Sequence, residues 1–168
     1  MDNLQASTHL NLNGCSDLLV ISRKSPQRDS LELVLSTLRD NPTFRIGMLD
    51  YVESLPEALT HVEQKIPALI IMDTWAHQDD ILKQVNQIRH KLPSVKLLVL
   101  ADISLWQALK KATGLDGLLL KGFSSAQLID LVGKLLNAEN NPRLNESGGK
   151  PAFADLVQPS DGGAPWTG

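Results

Sequence analysis

The 168-residue chain contains very little cysteine, few aromatic residues and no long apolar run. Its one cysteine, Cys15, can form no internal disulfide, and a zinc site of the Cys-x-x-Cys kind is excluded. Aromatic residues make up 4% of the chain and the net charge is -3. The stacking platforms and excess positive charge that nucleic-acid binding needs are therefore scarce, and we expect no nucleic-acid partner.

No stretch of the sequence approaches the roughly 18–20 apolar residues needed to span a bilayer. The first ten residues, MDNLQASTHL, contain neither the basic region nor the apolar region of a signal peptide. We therefore expect a cytoplasmic protein that does not bind membranes. The composition, 42% apolar and 21% charged, is typical of an ordinary globular domain.

The two ends differ in composition from the middle. Residues 1–16 are rich in Asn, Ser and Thr, and residues 138–168 are rich in Gly, Pro, Asn and Ser. Such segments bury too little apolar surface to offset the entropy of the chain. We predict a flexible N-terminal tail over 1–16, a domain over 17–137 and a C-terminal tail of low order over 138–168. That last segment is too short and too rich in Gly and Pro for a DNA-binding helix-turn-helix.

In the middle, short apolar runs of strand length alternate five times with segments whose apolar residues recur at helical spacing. The predicted strands cover 17–22, 44–49, 68–72, 95–100 and 117–120. The predicted helices cover 29–40, 54–66, 80–92, 104–114 and 124–137. This alternation predicts an α/β fold, a five-stranded doubly wound parallel sheet with helices on both faces. The second strand has two unequal faces, which indicates a place near a sheet edge.

Three predicted helices begin with a capping-box pattern, in which a serine is followed three residues later by Glu or Gln. These serines are Ser54, Ser104 and Ser124. Gly114 would end the fourth helix as a C-cap.

Asp73 directly follows the apolar run ALIIM at 68–72. In a doubly wound sheet, sites lie beyond the carboxyl ends of the strands, where the strand order reverses. Asp73 is therefore either the polar end of a buried strand or the centre of a site.

The order of elements, Asp73 after LIIM, and the segment GLDGLLLKGFSSAQLIDLV at 114–132 together resemble a response-regulator receiver domain. The resemblance is to the CheY-like type, in particular the receiver half of NarL/FixJ regulators, and it covers roughly residues 17–137. It implies a flavodoxin-like (βα)5 fold and a role in two-component signalling. It places Asp73 where the family has its phospho-acceptor and Lys121 where the family has its site lysine.

The same resemblance implies a divalent cation, held by an acidic pair after the first strand, which stabilises the transferred phosphoryl group together with the lysine. Here the sequence departs from the family. Ser22 and Arg23 replace the acidic pair, Ala101 replaces the hydroxyl residue after the fourth strand, and Trp75 stands where a backbone carbonyl would ligate the metal.

These departures lead us to expect poor Mg²⁺ binding and no other cofactor. Asp73 would then be a remnant structural aspartate that pairs with Lys121, and Arg23 could also pair with it. Asp102, beside Ala101, is a second candidate acid at the site. An active phospho-acceptor at Asp73 stays open as an alternative.

The interpretation we favour is a pseudo-receiver, not an enzyme, that acts by protein–protein interaction. Its partner would be a histidine kinase or another signalling protein. The expected interface is the face of the fourth helix, fifth strand and fifth helix, with Trp106, Lys110 and Phe123 as candidates; the same face could hold a homodimer.

Two other functions compete with this interpretation. One is a phosphorylated receiver with unusual metal ligation. The other is a small flavodoxin-like ligand-binding protein or enzyme, which would need a glycine-rich phosphate loop after the first strand. The sequence SRKSPQRDS at that place has no glycine, although Arg23, Lys24 and Arg28 could attract an anion.

Overall fold

The structure is a computed structural model that describes residues 14–75 and 78–137. Strands and helices alternate along these residues. The strands are β1 (Ser16–Ile21), β2 (Ile46–Val52), β3 (Leu69–Asp73), β4 (Lys96–Ala101) and β5 (Gly117–Leu120). The helices are α1 (Pro26–Arg39), α2 (Leu55–Gln64), α3 (Gln78–Lys91), α4 (Ile103–Lys110) and α5 (Ser125–Asn137).

The five strands form one parallel sheet in the order β2-β1-β3-β4-β5. The predicted doubly wound sheet is therefore confirmed, and β2 lies at its edge as predicted. The order reverses between β1 and β3, so the carboxyl ends of these two strands form the switch point of the sheet.

The core has two layers, one on each face of the sheet. Helices α2, α3 and α4 cover one face, and helices α1 and α5 cover the other. Successive side chains of a strand point to opposite faces. In β3, Ile70 and Met72 therefore pack under α2–α4 while Leu69 and Ile71 pack under α1 and α5. This explains why β3 is apolar at consecutive positions.

The position of β2 differs from the prediction, because the strand begins two residues later and continues to Val52. Arg45 has a φ of 40°, which interrupts the extended backbone before the strand. Phe44 lies before the strand and packs against α5, where a Cβ on Gly133 would lie 2.5 Å from the Phe44 ring. Met48, in the middle of the strand, is 50% exposed.

Two of the three capping boxes are confirmed. The Ser54 hydroxyl accepts a hydrogen bond from the Glu57 amide, and Ser124 and Gln127 exchange hydrogen bonds at the start of α5. The prediction for Ser104 is wrong. Helix α4 begins one residue earlier, at Ile103, because Asp102 alone connects it to β4.

The expected C-cap at Gly114 is also wrong, since Lys111 caps α4 and Gly114 lies in the following loop with a φ of 91°. A polar cluster holds this loop at the amino edge of the sheet. Arg89 of α3 donates to the carbonyls of Gly114 and Val95 and to the carboxylate of Asp116. That carboxylate also accepts the Leu97 amide at 2.9 Å.

Most of the two predicted tails, residues 1–13 and 138–168, lies outside the described residues. Of the predicted N-terminal tail, Gly14, Cys15 and Ser16 are described, and Ser16 already belongs to β1. Within residues 14–75 and 78–137, none of the helices combines the length and apolarity that a bilayer crossing requires.

Candidate functional site

The carboxyl edge of the sheet gathers the residues that the sequence singled out. Ser22 directly follows β1, Asp73 ends β3, Ala101 ends β4 and Lys121 directly follows β5. Three backbone hydrogen bonds fix this edge, from Ser22 to Val52, from Lys121 to Ala101 and from Thr74 to Leu100.

Both carboxylate oxygens of Asp73 are engaged by side chains of this chain. The Ser22 hydroxyl donates to Oδ2 at 2.9 Å, and the Lys121 ammonium lies 2.9 Å from Oδ1. The side chain of Asp73 is only 13% exposed, and Ser22 is fully buried. The predicted pairing of Lys121 with Asp73 is confirmed.

Lys121 contacts three oxygen acceptors. Besides Asp73 its ammonium donates to the Thr74 carbonyl and lies 3.2 Å from Oδ2 of Asp102. Burial, the largest single influence, lowers the pKa of Lys121, but hydrogen bonds and charge from Asp73 and Asp102 together raise this pKa above its ordinary value. The lysine therefore remains a cation at the site and satisfies two carboxylates at once.

Thr74 is a site residue that the sequence reasoning missed. It is fully buried, and its hydroxyl donates to the Leu100 carbonyl at 2.9 Å, beside the bond from its own amide to the same oxygen. These bonds fasten the segment after β3 onto β4 and aim the Thr74 carbonyl at Lys121. The available signal was a hydroxyl residue immediately after the strand-ending carboxylate.

Arg23 does not pair with Asp73, contrary to one of our expectations. Its guanidinium stacks over the ring of Trp75, 5.3 Å from the ring centroid. Trp75 is half-buried and packs against the core layer under α2–α4. The arginine and the tryptophan therefore contact each other across the ends of β1 and β3, while the cation on Asp73 comes from β5.

The other cations of the β1–α1 segment are compensated by Glu53. Lys24 lies 3.2 Å and Arg28 lies 3.9 Å from the same Glu53 oxygen. Arg28 also donates to the Ser22 carbonyl at 3.2 Å and stacks over Tyr51. The Ser25 hydroxyl accepts the Arg28 amide as the N-cap of α1. The charges of Lys24 and Arg28 are thus compensated by Glu53, and the N-cap of α1 is formed by Ser25.

The site offers few ligands for the divalent cation that the sequence resemblance implies. Ala101 is buried and has no side-chain oxygen. Asp73 and Asp102 are both bound to Lys121, and the position after β1 supplies a hydroxyl and a guanidinium. In the described ranges 14–75 and 78–137, no group of three His, Cys, Asp or Glu side chains could hold a metal ion. The donor set does not fit Mg²⁺, which prefers carboxylates and water.

The three interface candidates lie on α4 and after β5. Lys110 is exposed, whereas Trp106 and Phe123 are half-buried and pack against opposite core layers. The sequence reasoning missed Ile103, which is 72% exposed at the start of α4. Ile103 and Trp106 are three residues apart on the helix and are therefore neighbours on its surface.

The fold has clear relatives among solved structures. The receiver domain of nitrogen regulatory protein C has a TM-score of 0.63 and 21% identity, and the match covers 75% of this chain and 98% of that chain. For a response regulator receiver protein from Sinorhizobium medicae the TM-score is 0.57 and the identity 20%, over 74% and 96% of the two chains. This chain has the receiver fold.

A further structure with this receiver fold is a pilus assembly protein, CpaE, from Caulobacter crescentus. It has a TM-score of 0.56 and 17% identity, over 71% of this chain and 98% of that chain. No protein-family model matches the sequence, and the comparison with curated proteins gives no match. At these identities the comparisons establish the receiver fold, and the chemistry must be argued from the residues.

Proposed function

We propose that the chain is a cytoplasmic pseudo-receiver of the phosphorelay signalling type. It is not an enzyme, and it acts by binding a signalling protein without metal-dependent phosphorylation of Asp73. The observation that carries this proposal is the hydrogen bond from the Ser22 hydroxyl to Oδ2 of Asp73, at a position where the receiver resemblance implies a metal-binding acid.

Charge around Asp73 supports the proposal. Phosphoryl transfer to a carboxylate needs a cation that neutralises the developing charge, and protein ligands must hold that cation. A pair of unit charges at 4 Å is worth about 4 kcal/mol at an effective dielectric of 20. Ser22 contributes no negative charge that could hold a cation, and Arg23 contributes a positive charge. Ala101 offers no hydroxyl to a phosphoryl group.

The surface around α4 supports binding of a protein partner, such as a histidine kinase or another signalling protein. Ile103 and Lys110 are exposed, and Trp106 is half-buried between them along the helix. Tryptophan is enriched among the residues that anchor protein interfaces, and Trp106 lies beside the exposed Ile103 on the helix. The same surface could bind a second copy of the chain.

Phosphorylation is tested by incubating the protein with acetyl phosphate and Mg²⁺ and measuring its intact mass. We expect no gain of a phosphoryl group. The double variant Ser22→Asp/Arg23→Asp restores the acidic pair and is the informative comparison. If only the double variant gains a phosphoryl group, the missing acidic pair explains why the natural sequence is not phosphorylated. Adding Asp73→Asn to the double variant is the control and should abolish the gain.

A gain in the natural sequence that is absent from Asp73→Asn would contradict the proposal and support a working receiver. That second candidate is favoured by one observation, the 2.9 Å contact between Lys121 and the Asp73 carboxylate, which a phospho-acceptor site also requires. A flavodoxin-like ligand-binding protein or enzyme is the third candidate, and a thermal-shift screen with phosphate-bearing ligands tests it.

Partner binding is tested by pull-down with four proteins: the natural sequence, Asp73→Asn, Trp106→Ala and Leu33→Ala. Leu33 is 69% exposed on α1 and serves as the matched apolar control. We expect the same specific partner to be lost with Trp106→Ala and kept with the other two variants. Loss of the partner with Asp73→Asn would instead show that binding depends on the carboxylate. Light scattering of each variant measures whether the chain forms a homodimer.

A further inference from the structure

Asp102 stands in a capping position, but its side chain does not cap the helix. It is the single residue between β4 and α4, and it occupies the N-cap position of α4. Its φ of -72° and ψ of 159° are extended, as are those of the residues that cap α1 and α2. The carboxylate forms no cap hydrogen bond, and it lies 3.2 Å from the Lys121 ammonium instead.

The start of α1 shows the contact that α4 lacks. There the Ser25 hydroxyl accepts a hydrogen bond from the Arg28 amide, three residues further along the chain. The equivalent donor in α4 is the Leu105 amide, which is bonded to the main-chain carbonyl of Asp102 at 3.0 Å. Aspartate is one of the preferred N-cap residues. The contact with Lys121, rather than the residue type, therefore explains the missing cap.

The backbone needs no rearrangement for Asp102 to cap α4. Cap residues have extended dihedral angles, which Asp102 already has, so a rotation of its side chain separates the two arrangements. The side chain is 51% exposed and has room for this rotation. An exposed ion pair and an N-cap hydrogen bond contribute small amounts of stability that are similar in size. A change at Lys121 is therefore enough to shift the balance between them.

Lys121 connects this carboxylate to the Asp73 site. Its ammonium also lies 2.9 Å from the Asp73 carboxylate and contacts the Thr74 carbonyl. Of the two carboxylates, Asp102 is much more exposed, with 51% against 13% for Asp73. Water weakens the more exposed ion pair. An anionic group that binds the ammonium from solvent therefore displaces Asp102 before Asp73.

We propose that Asp102 is a two-position switch between the Asp73 site and α4. Bound to Lys121, it leaves the first turn of the helix uncapped. Released from Lys121, it accepts the Leu105 amide and stabilises the turn that carries the exposed Ile103. This inference goes beyond the proposed function, because it describes the free chain and requires neither a phosphoryl group nor a partner.

The test measures how strongly the Leu105 amide is protected against hydrogen exchange, by NMR. Lys121→Met releases Asp102, and we expect the protection of the Leu105 amide to rise about threefold. Lys121→Met/Asp102→Ala removes the new cap and should return the protection to its natural value. The Arg28 amide, which is already capped in α1, is the internal reference and should change in neither variant.

Asp102→Asn tests the switch while Lys121 stays in place. Asparagine caps a helix as well as aspartate does, but it has no charge to pair with the ammonium. We expect Asp102→Asn to raise the protection of the Leu105 amide, as Lys121→Met does, and Asp102→Ala to leave it unchanged.

Three results would overturn the proposal. They are equal protection of the Leu105 amide in Asp102→Asn and Asp102→Ala, no rise in Lys121→Met, and a rise that persists in Lys121→Met/Asp102→Ala. The samples contain no phosphoryl donor and no partner. Failure of the switch is therefore distinguished from failure of the proposed function, which the mass measurement and the pull-down test.

Discussion

The ammonium of Lys121 lies 2.9 Å from the carboxylate of Asp73, although strand β4 separates the two strands that carry these residues. The lysine therefore extends across the carboxyl end of β4 to meet the aspartate. This contact links the ends of β3 and β5, which are not neighbours in the sheet.

Replacing Lys121 with methionine should destabilise the protein. The change leaves the largely buried Asp73 carboxylate without its cation, and we expect a loss of about 1–2 kcal/mol in the free energy of unfolding. Urea denaturation at neutral pH measures this loss. Lys134→Met is the matched control, because its pair with Asp130 is exposed and should be worth less than about 0.5 kcal/mol. Equal losses for the two variants would contradict the structural role of Lys121.

The contribution of Lys121 should also depend on pH. Its pKa is raised in the folded protein, so the native state keeps this proton at pH values where an unfolded lysine, with a pKa of about 10.4, loses it. The contribution is complete below that pH and declines as the pH rises through the folded pKa. The unfolding free energies of the natural sequence and Lys121→Met should therefore converge above a pH of about 10.4. A constant difference would contradict the assignment.

Ser22→Ala should cost about 1 kcal/mol of stability, because it removes the buried hydroxyl that donates to Asp73. Urea denaturation provides the measurement. Ser30→Ala is the control, since the Ser30 hydroxyl is exposed and donates only to a carbonyl of its own helix. If the two serine variants were equally stable, the Ser22–Asp73 hydrogen bond would carry no net stabilisation.

Arg89→Ala should be the most destabilising of these changes, by about 2–3 kcal/mol, because one guanidinium holds three carbonyls and the Asp116 carboxylate. Arg89→Lys should recover only part of this loss, since an ammonium cannot form the planar fork. Lys91→Ala, at the end of the same helix, removes an exposed pair with Glu63 and serves as control. A neutral Arg89→Ala would show that the loop before β5 is held by other contacts.

Tyr51, the one tyrosine of the chain, should titrate with a pKa of about 12. Burial raises this pKa most, the Glu32 charge raises it further, and Arg28 and Arg39 lower it in part. An unfolded tyrosine ionises near a pH of about 10, so stability should fall between the two values as the unfolded state releases its proton first. Ultraviolet absorbance follows the ionisation, with circular dichroism at each pH to confirm the fold.

Two variants refine this test of Tyr51. Glu32→Gln should lower the midpoint, and Tyr51→Phe should abolish the transition. The Tyr51 hydroxyl is buried without a hydrogen-bond partner among the described residues, so Tyr51→Phe should also leave the stability at neutral pH unchanged or slightly increased. A midpoint at the pH of free tyrosine in the folded protein would contradict the burial of the ring.

The sequence predicted the sheet well because the signals for it are local or periodic. Strand β3 is apolar at consecutive positions, which only a strand covered on both faces requires, and Asp73 follows it directly. Its pairing with Lys121 was expected from the resemblance to receiver domains, which places both residues at the site, and the parallel topology brings the two strand ends to the same edge of the sheet.

The contacts that were missed join residues distant in the sequence. Thr74 bonds to a residue 26 positions away, and Arg89 to one 27 positions away. Helix α4 shows the opposite error, because the local pattern at Ser104 favours a cap there while the single-residue connection through Asp102 fixes an earlier start. Arg23 was expected on Asp73 because charge alone was considered, and the ring of Trp75 competes for the guanidinium.

The Arg89 cluster and the Asp73 cluster lie at opposite ends of β4, which spans about 13 Å between Leu97 and Ala101. Groups this far apart without shared partners respond independently to substitution. The two ends of the sheet can therefore be engineered separately. Substitutions could stabilise or destabilise the loop before β5 without changing the Asp73 cluster at the carboxyl edge.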